Sequence, residues 1–238
     1  YQAAKSGTTG GYNTVLGREA LYTNTTGNFN IAVGQSTLLS STTAGYNVGV
    51  GYQAIRANTT GEDHVAMGYQ TLYSNTTGQS NTAIGRTALY ANTTGGSNVA
   101  IGRDALNGNT TGSYNTAVGR VALNVNSTGG NNTAVGFQAL ANNTSADANT
   151  AIGQDALRAN TTGSNNVAVG WRSMDDNTTG GENTAIGRTP LAENTTGDNN
   201  VAVGFESLYG NTTGSNNTGC GLYTLLQNTT GYENVAVG

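Results

Sequence analysis

The sequence predicts an all-β fold, a parallel β-solenoid or β-roll of fourteen coils with 17 residues each. Three observations lead to this prediction: a strict 17-residue period, β-branched residues two apart within each period, and corners that interrupt any helix. The unit reads x-x-A-L-x-x-N-T-T-G-x-x-N-[TV]-A-[VI]-G, and its positions are numbered 1 to 17 below. Short repeats of this kind indicate units that stack on one another rather than a globular core.

The period runs through the whole chain with no insertion or deletion. Fourteen units of 17 residues account for all 238 residues, so we predict a single repeat array over 1–238, a segment of a longer fibre protein. A glycine closes every unit: Gly17, Gly34, Gly51, Gly68, Gly85, Gly102, Gly119, Gly136, Gly153, Gly170, Gly187, Gly204, Gly221 and Gly238.

The composition argues against several classes of protein. Charged residues make up 9% of the chain, whereas about 25% is usual for a globular domain, and disorder normally comes with high charge. The net charge of −4 gives no basic stripe for nucleic acid, and no apolar run is long enough to span a membrane. The single cysteine, Cys220, excludes an internal disulfide framework, and we predict a buried thiol there.

The apolar positions predict two short strands in each coil. Position 14 is Thr, Val or Ile and position 16 is always apolar, so we place a strand at positions 13 to 16 whose β-branched residues face the core. Position 4 is Leu in eleven units, which predicts a second strand at positions 1 to 5. The alanine ladder at position 15 is expected to form a close contact, either inside the coil or between chains.

Glycine and asparagine predict the corners. The glycine at position 17 indicates positive φ or close backbone approach, and Asn-Thr-Thr-Gly at positions 7 to 10 forms a second corner with a left-handed glycine. Position 13 is Asn in thirteen units, which predicts an inward-facing amide bonded to backbone and stacked into a ladder. Because one Leu and one Val or Ile per coil make a thin core, we expect self-association as a homotrimer or an end-to-end filament.

The strand motif resembles that of a known group of proteins. Asn-Thr-Ala-Val-Gly at 115–119 and Asn-Val-Ala-Ile-Gly at 98–102 are similar to the core motif of trimeric autotransporter adhesin heads, which are left-handed parallel β-rolls. The longer unit, as in 115–136, resembles repeats of bacterial and phage tail-fibre-like proteins. The adhesin likeness extends along the chain but covers about five residues of each 17. It implies an extracellular homotrimeric fibre used for attachment.

No constellation of residues predicts catalysis, a metal or a cofactor. His64 is the only histidine and stands where other units have Asn, so a tolerated ladder substitution is favoured over a catalytic base. The neighbouring carboxylates Asp175 and Asp176 could bind a cation, but a solvated pair is the favoured interpretation. The Gly-Gly-x-Gly-x-Asp pattern of calcium-binding β-rolls does not occur in the sequence.

Position 7 carries twelve Asn-x-Ser/Thr sequons for N-glycosylation. The alternative, which we favour, is that Asn-Thr-Thr-Gly serves as turn chemistry alone. The asparagines are Asn24, Asn58, Asn75, Asn92, Asn109, Asn126, Asn143, Asn160, Asn177, Asn194, Asn211 and Asn228.

Position 1 is the informative variable site, because long flat side chains one coil apart can stack, arginine on aromatic included. One interpretation is a ladder that covers either a neighbouring strand or a seam between chains. The other is an exposed stripe that binds a host glycan or protein. The residues include Tyr1, Tyr52, Tyr69, Arg86, Arg103, Arg120, Phe137, Trp171, Arg188 and Phe205.

These observations favour a structural or adhesive extracellular fibre: a surface adhesin, a filament subunit or a phage tail-fibre shaft. The alternative from another class is an ice- or crystal-binding solenoid that uses the threonine ladders at positions 8 and 9. An enzyme is a distant third, since no polar constellation breaks the repeat. No nucleic acid or membrane insertion is expected, and the location is the cell surface, the extracellular space or a virion.

Overall fold

The computed structural model describes residues 2–7 and 9–238, and within them every regular element is a β-strand. The chain divides into two compact units, Tyr1–Val118 and Gly119–Gly238. Each unit is a β-solenoid in which one repeat forms one coil with one three-residue strand. The first unit contains β1 (Thr14–Leu16), β2 (Ile31–Val33), β3 (Val48–Val50), β4 (Val65–Met67), β5 (Thr82–Ile84), β6 (Val99–Ile101) and β7 (Thr116–Val118). The second contains β8 (Thr133–Val135), β9 (Thr150–Ile152), β10 (Val167–Val169), β11 (Thr184–Ile186), β12 (Val201–Val203), β13 (Thr218–Cys220) and β14 (Val235–Val237).

Within each unit, consecutive strands pair in parallel and in register. Ala83 pairs with Ala100, and Ala151 pairs with Ala168, so equivalent residues lie beside each other one coil apart. Backbone groups outside the strands also bond between coils, as when the Thr93 N–H donates to the Thr110 carbonyl at 2.9 Å. The predicted stacking of equivalent positions is confirmed, and it satisfies polar backbone groups that a lone coil would leave unpaired.

The strand is confirmed at positions 14 to 16, but the predicted direction of its side chains is wrong. Position 15 points inward, and Ala100 is fully buried, whereas Ile101 at position 16 is 38% exposed. A Cβ on Gly49, at position 15, would lie 2.6 Å from Thr37 Cγ2 and 3.7 Å from Leu38 Cδ1. The interior across from positions 3 and 4 is therefore narrow: it has no room for a methyl group at Gly49, and most coils hold only alanine at position 15. Because side chains alternate between the two faces of a strand, the residues of positions 14 and 16 point outward.

The same reversal of faces overturns the prediction for Cys220. The thiol belongs to position 16 of β13 and is exposed, not buried. The alternatives for the alanine ladder are also decided, because position 15 packs inside its own coil against positions 3 and 4.

The second predicted strand, at positions 1 to 5, is wrong. Positions 2 and 4 both have positive φ, for example Thr87 and Leu89 at 53° each. Left-handed residues at alternate positions cannot continue an extended ladder, so this segment forms turns. A left-handed non-glycine residue costs roughly 1–2 kcal/mol. The cost is offset because Leu89 is fully buried and its N–H donates to the Ala105 carbonyl of the next coil at 2.9 Å.

Both glycine corners lie too close to the adjacent coil for a Cβ, but only position 17 also has positive φ. The prediction of positive φ at position 17 is confirmed, with Gly68 at 142° and Gly170 at 127°. The left-handed glycine predicted at position 10 is wrong, since no glycine of that position has positive φ in the described residues. A Cβ on Gly180 would instead lie 2.5 Å from the Gly197 carbonyl oxygen and 2.6 Å from Asn177 Oδ1. Position 10 is thus limited by the closeness of the adjacent coil.

The core is half polar. A leucine ladder and two alanine ladders are lined by the asparagines of positions 7 and 13. At position 13, the Asn115 N–H donates to Asn98 Oδ1 at 2.9 Å, and Asn98 Nδ2 donates to the Gly112 carbonyl at 2.9 Å. The predicted inward-facing amide, bonded to backbone and stacked along the axis, is confirmed.

Candidate interaction surface

The outward side chains of positions 14 and 16 form a continuous surface in each unit, which we call the strand face. The repeat frame generates it, because every coil contributes one strand in the same register. No position of the strand face carries a charge in any coil; the residues are Thr, Val, Ile, Leu, Met or Cys. In the first unit they are Thr14, Leu16, Ile31, Val33, Val48, Val50, Val65, Met67, Thr82, Ile84, Val99, Ile101, Thr116 and Val118.

The strand face leaves apolar surface open to solvent. Met67 is 43% exposed, and Ile152 and Ile186 are each 41% exposed although ladder neighbours cover both of their sides. Single exposed apolar residues are common on proteins, but a contiguous patch of several hundred Å² indicates an interaction site. This face is therefore the strongest candidate for contact with another macromolecule.

The position 1 stripe lies beside the strand face, just past the glycine of position 17. In the first unit, the rings of Tyr52 and Tyr69 stack at 5.3 Å with 14° between their planes. The Arg86 guanidinium lies 5.9 Å from the Tyr69 ring, and Arg103 Nε donates to Asp104 Oδ2 at 3.0 Å. The expected stacking is present here, and the side chains remain exposed at their outer edges.

The second unit repeats this arrangement with arginine between aromatic rings. The Arg120 guanidinium lies 5.4 Å from the Phe137 ring. Arg188 lies 5.2 Å from the Trp171 ring and 5.4 Å from the Phe205 ring, so one cation bridges two coils. Tyr1, the first member of the stripe, lies outside the described residues.

A second aromatic ladder, at position 12, was missed in the sequence. Tyr12 and Phe29 stack at 5.0 Å, and Phe29 and Tyr46 stack at 5.2 Å. Position 12 precedes the strand and position 1 follows it, so the two ladders flank opposite edges of the strand face. Tyr12 is 84% exposed. The signal was the aromatic residue at position 12 in each of the first three units.

The sequon asparagines of position 7 are interior residues. Asn92 is fully buried; its Nδ2 donates to Asn75 Oδ1 at 2.8 Å and to the Gly95 carbonyl at 2.9 Å. A glycan on Nδ2 would have to displace the adjacent coil. The burial therefore favours turn chemistry over glycosylation in the folded chain. Eleven of the twelve are buried, and Asn228 is half-buried: Asn24, Asn58, Asn75, Asn92, Asn109, Asn126, Asn143, Asn160, Asn177, Asn194 and Asn211.

His64 occupies the position 13 ladder as an asparagine substitute. Its backbone N–H donates to Asn47 Oδ1 at 3.0 Å, and its Nδ1 accepts the Asn81 N–H at 3.2 Å. The ring is fully buried, and this desolvation lowers its pKa from 6.5 to about 4 against the raising effect of a hydrogen bond to the Gly78 backbone. The ring is neutral at pH 7, which fits a ladder residue.

The carboxylates Asp175 and Asp176 do not act as a pair. Asp175 is 1% exposed and accepts hydrogen bonds from Arg158 Nε and Arg172 Nε, each at 2.7 Å, whereas Asp176 is exposed. The hydrogen bond to Asp175 raises the pKa of both arginines. In the part of the chain that the structure describes, no group of three or more His, Cys, Asp or Glu side chains could hold a metal ion.

Comparison with known protein families, with curated proteins and with solved structures finds nothing that matches this chain. Across residues 2–7 and 9–238 no helix is long and apolar enough to cross a membrane.

Proposed function

We propose that this chain is a structural, adhesive segment of an extracellular fibre that self-associates through its strand face. The observation that carries the proposal is the uncharged strand face, which remains partly exposed on a protein whose other outward positions are mostly polar. Water contact with this surface is unfavourable, and a second copy offers the same uncharged ladder at the same spacing.

The size of the strand face suits such a contact. Seven coils at about 4.8 Å each give a strip about 34 Å long, and the two outward rows with their flanking positions make it roughly 15 Å wide. Each unit therefore offers about 500 Å², more than half of the ~800 Å² that one partner buries in an interface of standard size.

A homotrimer is the assembly we propose, with the position 1 and position 12 ladders at its rim. The likeness of the strand motif to adhesin heads supports this arrangement and the extracellular location. Rim aromatics such as Tyr12 and Trp171 stay available for a host glycan or protein, and repetition along the fibre gives avidity.

The ice-binding alternative receives less support from the hydroxyl groups. Position 8 hydroxyls are used inside the solenoid, as when Thr93 Oγ1 donates to the Thr110 carbonyl at 3.0 Å. Position 9 leaves one exposed threonine row, where a flat array needs at least two. Thr8 lies outside the described residues. A thermal hysteresis assay on the folded protein separates the two functions.

The decisive experiment measures oligomeric mass by sedimentation equilibrium. Ile101→Lys places a charge on the strand face, whereas Thr94→Lys places the same charge on the exposed position 9 of the same coil. We expect an assembled wild type, an assembled Thr94→Lys protein and a dissociated Ile101→Lys protein. A stable wild-type monomer, or equal assembly of both variants, contradicts self-association through this face.

A further inference from the structure

The coil formed by residues 171–187 carries three large or charged side chains at variable positions of the repeat. They are Trp171 at position 1, the only tryptophan in the chain, Arg172 at position 2 and Asp175 at position 5. Because these positions vary from coil to coil, they can be adapted to a local task without changing the fold.

These side chains form one cluster joined by ion pairs and ring contacts. Asp175 holds Arg158 and Arg172 in place through its two carboxylate oxygens, and Arg172 in turn lies 5.4 Å from the Trp171 ring. Arg188 approaches the same ring at 5.2 Å. Side chains that are already fixed lose little conformational entropy when a ligand binds.

The cluster borders a shallow depression of about 340 Å³ in the second unit. Asp155 lines it, and its Oδ1 is buried without a hydrogen-bond partner, while Oδ2 accepts from Gln154 Nε2 at 3.1 Å. A buried carboxylate oxygen without a donor is costly. This oxygen has almost no accessible surface as it is placed, so a ligand hydroxyl would satisfy it once the carboxyl group turns toward the depression. The lining residues are Gln138, Asp155, Arg158, Trp171, Arg172 and Asp175.

We infer that this depression binds a neutral saccharide. Two guanidinium groups and two carboxylates line it, so the charges cancel and a charged ligand gains little net attraction. A guanidinium carries five N–H donors, of which Asp175 occupies the Nε–H of each arginine, so donors are left for hydroxyl oxygens. The indole, 40% exposed, gives an apolar contact for sugar C–H groups. The inference is independent of self-association.

Trp171 makes the site directly observable, because its fluorescence reports on this depression alone. The probes are glucose, galactose, mannose and N-acetylglucosamine, with glucuronate and glucosamine as charged counterparts. We expect a saturable change in emission with at least one neutral sugar. The expected Kd is in the millimolar range, so sugar concentrations up to about 100 mM reach saturation. No saturable change with any neutral sugar, or a response to charged sugars alone, overturns the inference.

Asp155→Ala tests the carboxylate, with Asp104→Ala as the matched control. Both aspartates stand at position 2 with similar backbone, φ 56° and 58°. We expect at least tenfold weaker binding for Asp155→Ala and no change for Asp104→Ala. If Asp155→Ala lacks a folded circular dichroism spectrum, Asp155→Asn replaces it as the test variant. Its binding should be several-fold weaker than that of wild type, because an amide oxygen accepts a weaker hydrogen bond than a carboxylate. Unchanged affinity in the folded variant contradicts the site.

Discussion

The Nδ1 atom of His64 accepts the backbone N–H of Asn81 at 3.2 Å, the bond that Asn Oδ1 accepts in the other coils. The hydrogen bond to Gly78 corresponds to the bond that Asn Nδ2 donates to position 10 elsewhere. An imidazole in this tautomer thus presents an acceptor and a donor as an amide does, which explains why a histidine fits a buried asparagine ladder.

This substitution makes stability depend on pH. The folded pKa of His64 is about 4, below its ordinary 6.5, so the unfolded chain binds the proton more tightly. The stabilisation is complete above pH 6.5 and is lost as the pH falls toward 4. We expect the unfolding free energy to drop by about 2.5 kcal/mol more between pH 7.5 and 4.5 in wild type than in His64→Asn. Denaturant titrations at both pH values measure this, and equal losses would contradict it.

Gly49 should tolerate replacement by alanine only when Thr37 of the same coil is also made smaller. Gly49→Ala puts a methyl group 2.6 Å from Thr37 Cγ2, so we expect a loss of about 1–3 kcal/mol from overpacking. Adding Thr37→Ala restores the repeat's usual alanines at both positions and should recover most of the loss. Chemical denaturation of the single and double variants tests the coupling. If Gly49→Ala alone is as stable as the double variant, the coil widens to accept the methyl group and the prediction is wrong.

The position 7 ladder should be essential for stability. Asn92→Ala removes bonds to Asn75, Gly95 and Asn109 and leaves buried polar atoms without their partner, at a cost of about 2–4 kcal/mol. Thr94→Ala is the control: it removes the same sequon from an exposed position and should change stability by less than about 0.5 kcal/mol. Denaturation curves compare them. An intact mass above 24.1 kDa in wild type would show that the sequons carry glycans.

Cys220 reports on how copies pack. Its exposed thiol lies on the strand face, so a parallel, in-register assembly brings equivalent thiols to the same level. A disulfide requires Cα atoms within about 7 Å, which an antiparallel arrangement would not provide for this residue. Under mild oxidation we expect linked dimers on a non-reducing gel, absent in Cys220→Val. If the protein is shown to be oligomeric and no link forms, the parallel arrangement is wrong.

The sequence by itself determined the period, the all-β class, the parallel in-register stacking and the inward asparagine at position 13. These follow from features that recur every 17 residues, because identical units stacked in register must place identical groups beside each other. The position 1 stacking was predictable for the same reason, since a ladder brings Tyr52 onto Tyr69 whatever the shape of the coil.

Only the tertiary structure decided which side of the strand faces inward. Alternation predicts two faces but not their direction, and β-branched residues at positions 14 and 16 favour the wrong choice. The width of the coil determines it, because the side chains of positions 3 and 4 leave room for little more than alanine at position 15, and at Gly49 Thr37 leaves no room for a methyl group. The same packing imposes positive φ on Leu89, against its local preference, and turns Cys220 toward solvent. Local sequence cannot reveal a cross-section that all segments of a coil define together.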